Sequence, residues 1–253
     1  MLNAAFRGWS GKSSGEARII KNPLKVLSAK AKGGAIIGGG GKSQTNYAGP
    51  VSLAGDVFLE DEALLGTWFS GKISGKGNVN ISKGQVHLAN ANNDFKGTIK
   101  VFPGTELISE NQKAIPEKTI VILNSGSWIL GPVGTYSING LNGHGTVKVM
   151  DNKDYGNRLL MLGSKGGSGW YRGKLSDGSS GRLTVVKLGR GTQVLDGDSD
   201  YSGDTIINGG IMRAGSPTAF GKGVIIVERR GTLELNGQKI TNVIINHGGT
   251  VIP

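Results

Sequence analysis

Residues 68–74 read WFSGKIS, and residues 170–176 read WYRGKLS. The shared phrase is an aromatic residue, any residue, a glycine, and an aliphatic residue two positions later. It is echoed downstream of each copy, at Phe95-Lys96-Gly97 and at Tyr201-Ser202-Gly203. An aromatic two positions before a glycine reads as a corner. The ring covers the edge of a core, and the glycine takes a turn that a Cβ would obstruct. The corner residues are Phe69, Gly71, Phe95, Gly97, Tyr171, Gly173, Tyr201 and Gly203. A phrase that recurs within one chain points to stacked structural units.

The apolar residues between these corners come in short bursts at period two. Val51/Leu53, Val57/Leu59, Val79/Ile81, Val86/Leu88, Ile99/Val101, Val147/Val149 and Leu233/Leu235 alternate as half-buried strands do. Gly, Asn, Asp and Ser separate them, the residues that tolerate tight turns. Glycines also gather just before strands, as in Gly75-Lys76-Gly77-Asn78-Val79 and Gly143-His144-Gly145-Thr146-Val147. Short strands at close spacing fit either a sandwich or a coil of parallel strands, and the glycine corners favour the coil, an all-β chain wound as a parallel β-helix or β-solenoid. At roughly 20–25 residues per turn the chain makes about ten turns, with aliphatics inside, Asn and Ser at corners, and Lys and Thr outside. One helical turn is predicted over 109–117, SENQKAIPE, ahead of Pro116.

The 253 residues include 45 glycines, 7 prolines and no cysteine. Disulfides and thiolate metal sites are therefore excluded. Glycine enrichment without a Gly-x-y period excludes collagen. No apolar run approaches a membrane helix, and the first residues do not resemble a signal peptide, so an exported form would use a signal absent from this chain. Net charge is +11. Residues 1–50 hold eight basic residues, Arg7, Lys12, Arg18, Lys21, Lys25, Lys30, Lys32 and Lys42, against Glu16 alone, a net +7. Such a field draws polyanions or acidic protein patches, or is a solvated basic face. No nucleic-acid-binding signature accompanies it, so nucleic acid is not the expected partner.

Residues 171–214, YRGKLSDGSSGRLTVVKLGRGTQVLDGDSDYSGDTIINGGIMRA, resemble the passenger-associated transport repeat of Gram-negative type V autotransporters. Lys187, Gly189, Gly191, Thr192, Tyr201, Gly203, Thr205, Ile207 and Gly210 occupy matching places. Val185 stands where Leu is usual, and Gln193-Val194-Leu195 replaces the common Leu-Thr-Leu. Residues 69–109 carry a weaker copy of the frame. The resemblance covers most of 50–253 and stops short of the basic segment 1–49, which is assigned as a cap or first turns. It implies a right-handed parallel β-helix, and a passenger fragment that crosses the periplasm and then the outer membrane through the C-terminal β-barrel of its own precursor, a barrel absent from this chain. The implied destination is the bacterial surface or the medium, with no stable membrane insertion of this fragment.

Little chemistry is written in the chain. His87, His144 and His247 show no metal-ligand spacing with one another, and His144, between two glycines, reads as solvent-facing. Ser176-Asp177-Gly178-Ser179-Ser180-Gly181 has the wrong order for a serine-protease nucleophile loop. Glu60, Asp61 and Glu62 are adjacent, and Asp198 and Asp200 sit in a turn; both groups read as solubilising or turn residues and not as a glycosidase pair. The turn 196–200 lacks the distal acid of a calcium loop. Gly41-Lys42-Ser43 lacks the first glycine of a phosphate-binding loop. The expectation is a non-enzymatic, cofactor-free virulence factor that binds host cells as an adhesin or effector, through heparin-like sulfated glycan or a host cell-surface receptor. A growth-factor-like receptor ligand, a structural spacer and a carbohydrate-active β-helix stay open as alternatives. The candidate partner-binding residues are Arg7, Lys12, Arg18, Lys21, Lys25, Lys30 and Lys32, with Trp68, Trp170 and Arg172 as aromatic and cationic contacts.

Overall fold

The computed structural model describes residues 5–8, 17–27, 34–41, 43–62, 65–151 and 156–253. Among these, twenty-seven strands and no helix appear, and the ladders between strands are parallel. They stack as a β-solenoid of about ten turns with three faces. The first face runs through Ala35–Gly39, Val57–Asp61, Val79–Lys83 and Ile99–Val101, and later through Gly169–Tyr171, Thr192–Leu195, Gly210–Ala214, Gly231–Glu234 and Thr250–Ile252. The second holds Arg18–Ile20, Thr45–Tyr47, Thr67–Phe69, Gln85–Leu88, Glu106–Ser109 and Lys174–Ser176. Two long strands, Ile120–Leu130 and Gly140–Val149, bend from the first face into the second. The third face opens with Leu24–Val26, Val51–Leu53 and Ile73–Gly75 and resumes from Gly134–Ile138 to Ile244–His247.

Register sets the turn length. Val57, Val79, Ile99, Val121 and Leu141 face one another in sequence, 22, 20, 22 and 20 residues apart. Because side chains alternate across a strand, this register brings every second aliphatic to the interior. Those aliphatics form one continuous buried column from Val26 to Leu233. The strands Ala5–Gly8, Arg18–Ile20, Leu24–Val26, Ala35–Gly39 and Thr45–Tyr47 extend the same ladders into the basic segment.

At the recurrent corner the ring lies deeper than an edge cover. Phe69, Phe95, Tyr171 and Tyr201 are all buried in the core. Each tyrosine hydroxyl is held: Tyr171 donates to Lys174 O at 3.2 Å, and Tyr201 pairs with Thr205 Oγ1 at 2.6 Å. The two copies of the phrase stand on different faces. Trp68-Phe69 end a strand of the second face, and Trp170-Tyr171 end a strand of the first. What repeats is the corner and not a fixed place on the turn. A further example, Tyr47-Ala48-Gly49, escapes the sequence reading; its ring stacks on Phe69 at 5.0 Å and 12°.

Two sequence expectations need correction. Residues 109–117 form no helix: Ser109 ends a strand, and Ala114 N donates to Asn111 O at 3.0 Å in a turn that Asn111 Oδ1 braces through Lys113 N. Lys and Thr do not all face outward, since Lys187, Thr45, Thr67, Thr105, Thr119 and Thr205 are buried. For Thr105 and Lys187 the reason is local, because corner carbonyls need donors and these inward side chains supply them. Thr105 Oγ1 bonds Phe102 O at 2.7 Å, and the Lys187 ammonium reaches Leu188 O, Gly189 O and Gly209 O.

Gln193 shows how a departure from the family pattern repairs the ladder. The strands Gly140–Val149 and Gly169–Tyr171 share only the partner pair Gly143 and Tyr171. Gln193, one turn further on and buried, reaches past side-chain-free Gly169, donating from Nε2 to Leu141 O at 2.9 Å and accepting Leu141 N at 3.2 Å. A Cβ on Gly169 would stand 2.5 Å from Gln193 Oε1. Gln193→Leu leaves both Leu141 groups unpaired and regains part of the loss as apolar burial, so a net cost of about 2 kcal/mol is expected in urea unfolding. A neutral result would show that the amide is not a backbone surrogate.

Candidate functional site

Strand alternation sends Tyr171 into the core and its neighbour Trp170 outward, where the indole is 58% exposed. Three contacts fix it. Trp170 N donates to Asn142 Oδ1 at 2.9 Å, from the preceding turn. Trp170 Nε1 donates to Asp196 Oδ2 at 3.1 Å, from the following turn. The Arg172 guanidinium carbon lies 5.5 Å from the ring centroid. Asp196 is itself anchored, its N–H bonding Tyr171 O at 2.8 Å. The result is an exposed aromatic ring with a guanidinium over it and a carboxylate bonded to its N–H edge. Such a surface stacks on a sugar ring or an apolar side chain while Arg172 offers a bidentate match to sulfate or carboxylate. Trp170 and Arg172 are thus brought together as two of the sequence candidates. Asp196, which the sequence reading weighs only as part of the turn 196–200, shows its place beside Trp170 only through the turn-to-turn register.

Trp68 is placed differently. Its ring is half-buried and stacked on His87 at 4.1 Å and 7°, and His87 Nδ1 lies 2.7 Å from Glu110 Oε1. Trp68 Nε1 is buried with no hydrogen-bond partner among the described residues. The ring is therefore engaged by its own neighbours. The basic candidates also separate. Lys21 and Lys25 are exposed. Arg18 faces inward in register with buried Thr45 and is half-buried, with Nη1 enclosed. The backbone of Arg7 lies in the strand Ala5–Gly8, opposite Gly38. Lys12, Lys30 and Lys32 lie outside the described residues.

The buried charges are structural. Arg158 donates from Nε and Nη2 to Gly131 O at 3.0 and 2.7 Å and from Nη1 to Gly156 O at 2.7 Å. Asp61, read from sequence as solubilising, is buried and accepts Gly66 N at 3.0 Å, because alternation turns it inward between Glu60 and Glu62. Burial pushes the Lys187 ammonium down to about 8. His144 is exposed. Among the described residues no group of three or more His, Asp or Glu side chains gathers as a metal site, and no helix is long and apolar enough to cross a membrane. A polar groove of about 390 Å³ crosses the corner between the first and second faces, lined by Gln85, Thr105, Glu106, Ser125, Ser127 and glycines.

Comparison with known proteins locates the chain. Residues 185–214 match the passenger-associated-transport-repeat family. The Adhesin BmaC autotransporter of Brucella suis biovar 1 (strain 1330) is 31% identical over 103 residues, which is 37% of this chain and 3% of that adhesin. The chain therefore spans a small part of its relative's length. No solved structure matches it.

Proposed function

The chain is a stretch of type V autotransporter passenger that carries the passenger-associated transport repeat, and from that premise we propose that it is a non-enzymatic host-binding rod. On this reading it leaves the cell through the β-barrel of its own precursor and works at the bacterial surface or in the medium. The adhesin name of its relative supports a binding role. The observation that carries the reading is the exposed Trp170 platform, with Arg172 and Asp196 held against it. An isolated exposed tryptophan is ordinary, but one fixed by three turns of a rigid solenoid is a pre-organised contact, and pre-organisation lowers the entropic cost of binding. The net charge of +11 steers the rod toward acidic glycan or an acidic receptor patch.

The test is binding of the purified chain to cultured animal cells, with and without enzymatic removal of heparan sulfate. Trp170→Ala is expected to weaken cell binding about tenfold, the equivalent of about 1.4 kcal/mol. Because the side chain is exposed, thermal unfolding should stay unchanged. Binding that survives glycan removal but not Trp170→Ala identifies a protein receptor, as a growth-factor-like ligand requires. Absence of cell binding by the wild type overturns the reading in favour of a spacer.

A further inference from the structure

We propose that Lys76, Lys96 and Lys118 form a ladder that binds one extended, linear acidic polysaccharide along the axis of the rod. The partner class rests on the host-binding reading above; the site itself rests on the geometry of three consecutive turns. Each lysine stands three residues before one of the facing residues Val79, Ile99 and Val121, so all three occupy the same place on the turn. All three are exposed. The backbone confirms the alignment where it is bonded: Lys76 N donates to Leu53 O at 2.9 Å and Lys96 N to Gly75 O at 2.8 Å.

The corner beneath them is rigid. A Cβ on Gly97 would stand 2.3 Å from Gly77 O, so the two turns pack as closely as backbones allow. Beside the lysines, Asp56 Oδ1 accepts Asn78 N at 2.9 Å, and Asn78 Oδ1 accepts Thr98 N at 2.9 Å and Thr98 Oγ1 at 3.0 Å. This polar ladder fixes the backbone that carries Lys76 and Lys96 at the rise of one turn, about 4.8 Å. The neighbouring acids are committed elsewhere. Asp94 pairs with Lys72 at 2.7 Å, Glu117 pairs with Lys165 at 2.6 Å, and Asp56 accepts from Asn78. Among the described residues none of the three ladder lysines has an ion-pair partner. Lys100, exposed on the adjoining first face, adds a fourth cation to one side.

Like charges stacked in register repel, and a linear polyanion laid along the column relieves that repulsion at every turn. An acidic glycan places carboxylate or sulfate groups at about one sugar's length, commensurate with the rise of the solenoid. A single-stranded nucleic acid fits less well, because its binding sites interleave cations with exposed stacking aromatics and no large exposed apolar side chain lies between Lys76 and Lys118. The same bare surface gives an anionic membrane no apolar anchor.

The test measures binding of size-defined heparin oligosaccharides by the whole chain, as a function of salt. The variants are Lys76→Ser/Lys96→Ser/Lys118→Ser and a charge-matched control, Lys222→Ser/Arg229→Ser/Lys239→Ser, which removes three exposed basic residues far along the chain from the ladder and outside every candidate binding residue named above. The ladder variant is expected to bind about twentyfold more weakly or worse and the control within about threefold, with the slope of log K against log salt falling by about 2 in the ladder variant alone. Equal losses in both variants would reduce the effect to net charge and overturn the ladder, as would an unaffected ladder variant. Duplex DNA and phosphatidylserine vesicles are run alongside, and binding to either as tight as to heparin overturns the choice of glycan. Failure of the wild type to bind heparin also overturns the ladder. The host-binding reading is then judged separately, by whether the same preparation still binds glycan-stripped cells.

Discussion

Gly71→Ala is expected to destabilise the solenoid by about 3 kcal/mol or more, while Gly104→Ala costs about 1 kcal/mol. Gly71 is the glycine of the corner WFSGKIS, between Phe69 on the second face and Ile73 on the third. Its N–H donates to Tyr47 O at 2.9 Å, which draws it against the turn below. A Cβ there would stand 2.0 Å from Gly49 O and 2.6 Å from Gly49 C, both backbone atoms that no rotamer change can clear. The two turns must part, giving up that hydrogen bond and disturbing the Tyr47–Phe69 stack. Gly104 is the opposite case, with a φ of +70° and nothing within 4 Å of its added Cβ, so alanine meets only left-handed strain. In a solenoid each turn contacts only its neighbours, so the damage should be local. Hydrogen exchange should rise across 45–75 before urea unfolding of the remainder. Equal costs at the two glycines would show that close turn contact is not what the corner glycine serves.

The same corner explains how much of the fold was legible. Period-two apolar bursts and glycine corners carry the parallel solenoid, because stacking makes every turn obey one rule of inside and outside. What does not show in sequence is register. The two copies of the tryptophan phrase look equivalent until pairing puts Trp68 against His87 and Trp170 against Val194, on different faces. One tryptophan is thereby stacked and half-buried, and the other is presented with Arg172. The ladder of Lys76, Lys96 and Lys118 is hidden for the same reason, since spacings of 20 and 22 residues follow no fixed repeat and only pairing shows their equivalence. Inward polar groups were illegible by type. Asp61, Arg158 and Lys187 look like surface residues, but corner backbone groups attract them, through hydrogen bonds that composition does not record. The excess of basic residues in 1–50 was legible, yet charge alone did not reveal that Arg18 faces inward while Lys21 and Lys25 do not.

Lys187→Met is expected to cost about 3 kcal/mol at pH 7, and the penalty should grow as pH is raised. Lys187 belongs to the transport repeat, followed by Gly189, Gly191 and Thr192. The repeat closes tightly here: a Cβ on Gly189 would meet Gly163 O at 2.3 Å, and one on Gly191 would meet Gly167 O at 2.2 Å. Turns this close leave the carbonyls of Leu188, Gly189 and Gly209 turned toward one buried point, and Lys187 Nζ occupies it. Methionine fills the volume but donates nothing, so these buried acceptors lose a partner. Burial holds the folded ammonium at about 8, against 10.5 in the unfolded chain. Below pH 8 both states are protonated, and the desolvation cost of the charge is fully present. Between pH 8 and 10.5 the unfolded chain keeps a proton that the folded chain releases. Unfolding then takes up a proton, and the contribution of Lys187 to stability rises with pH across that window, by on the order of 1–3 kcal/mol. The neutral amine keeps two N–H donors for the three corner carbonyls, so most of the hydrogen bonding survives when the charge goes. Other lysines titrate in both proteins and cancel in the difference between wild type and variant. Urea unfolding of the pair at pH 7 and pH 10 measures it directly. A difference that stays flat with pH would mean that the folded ammonium keeps its ordinary affinity for the proton, and a difference that shrinks would mean that the corner carbonyls hold the charge more strongly than burial expels it.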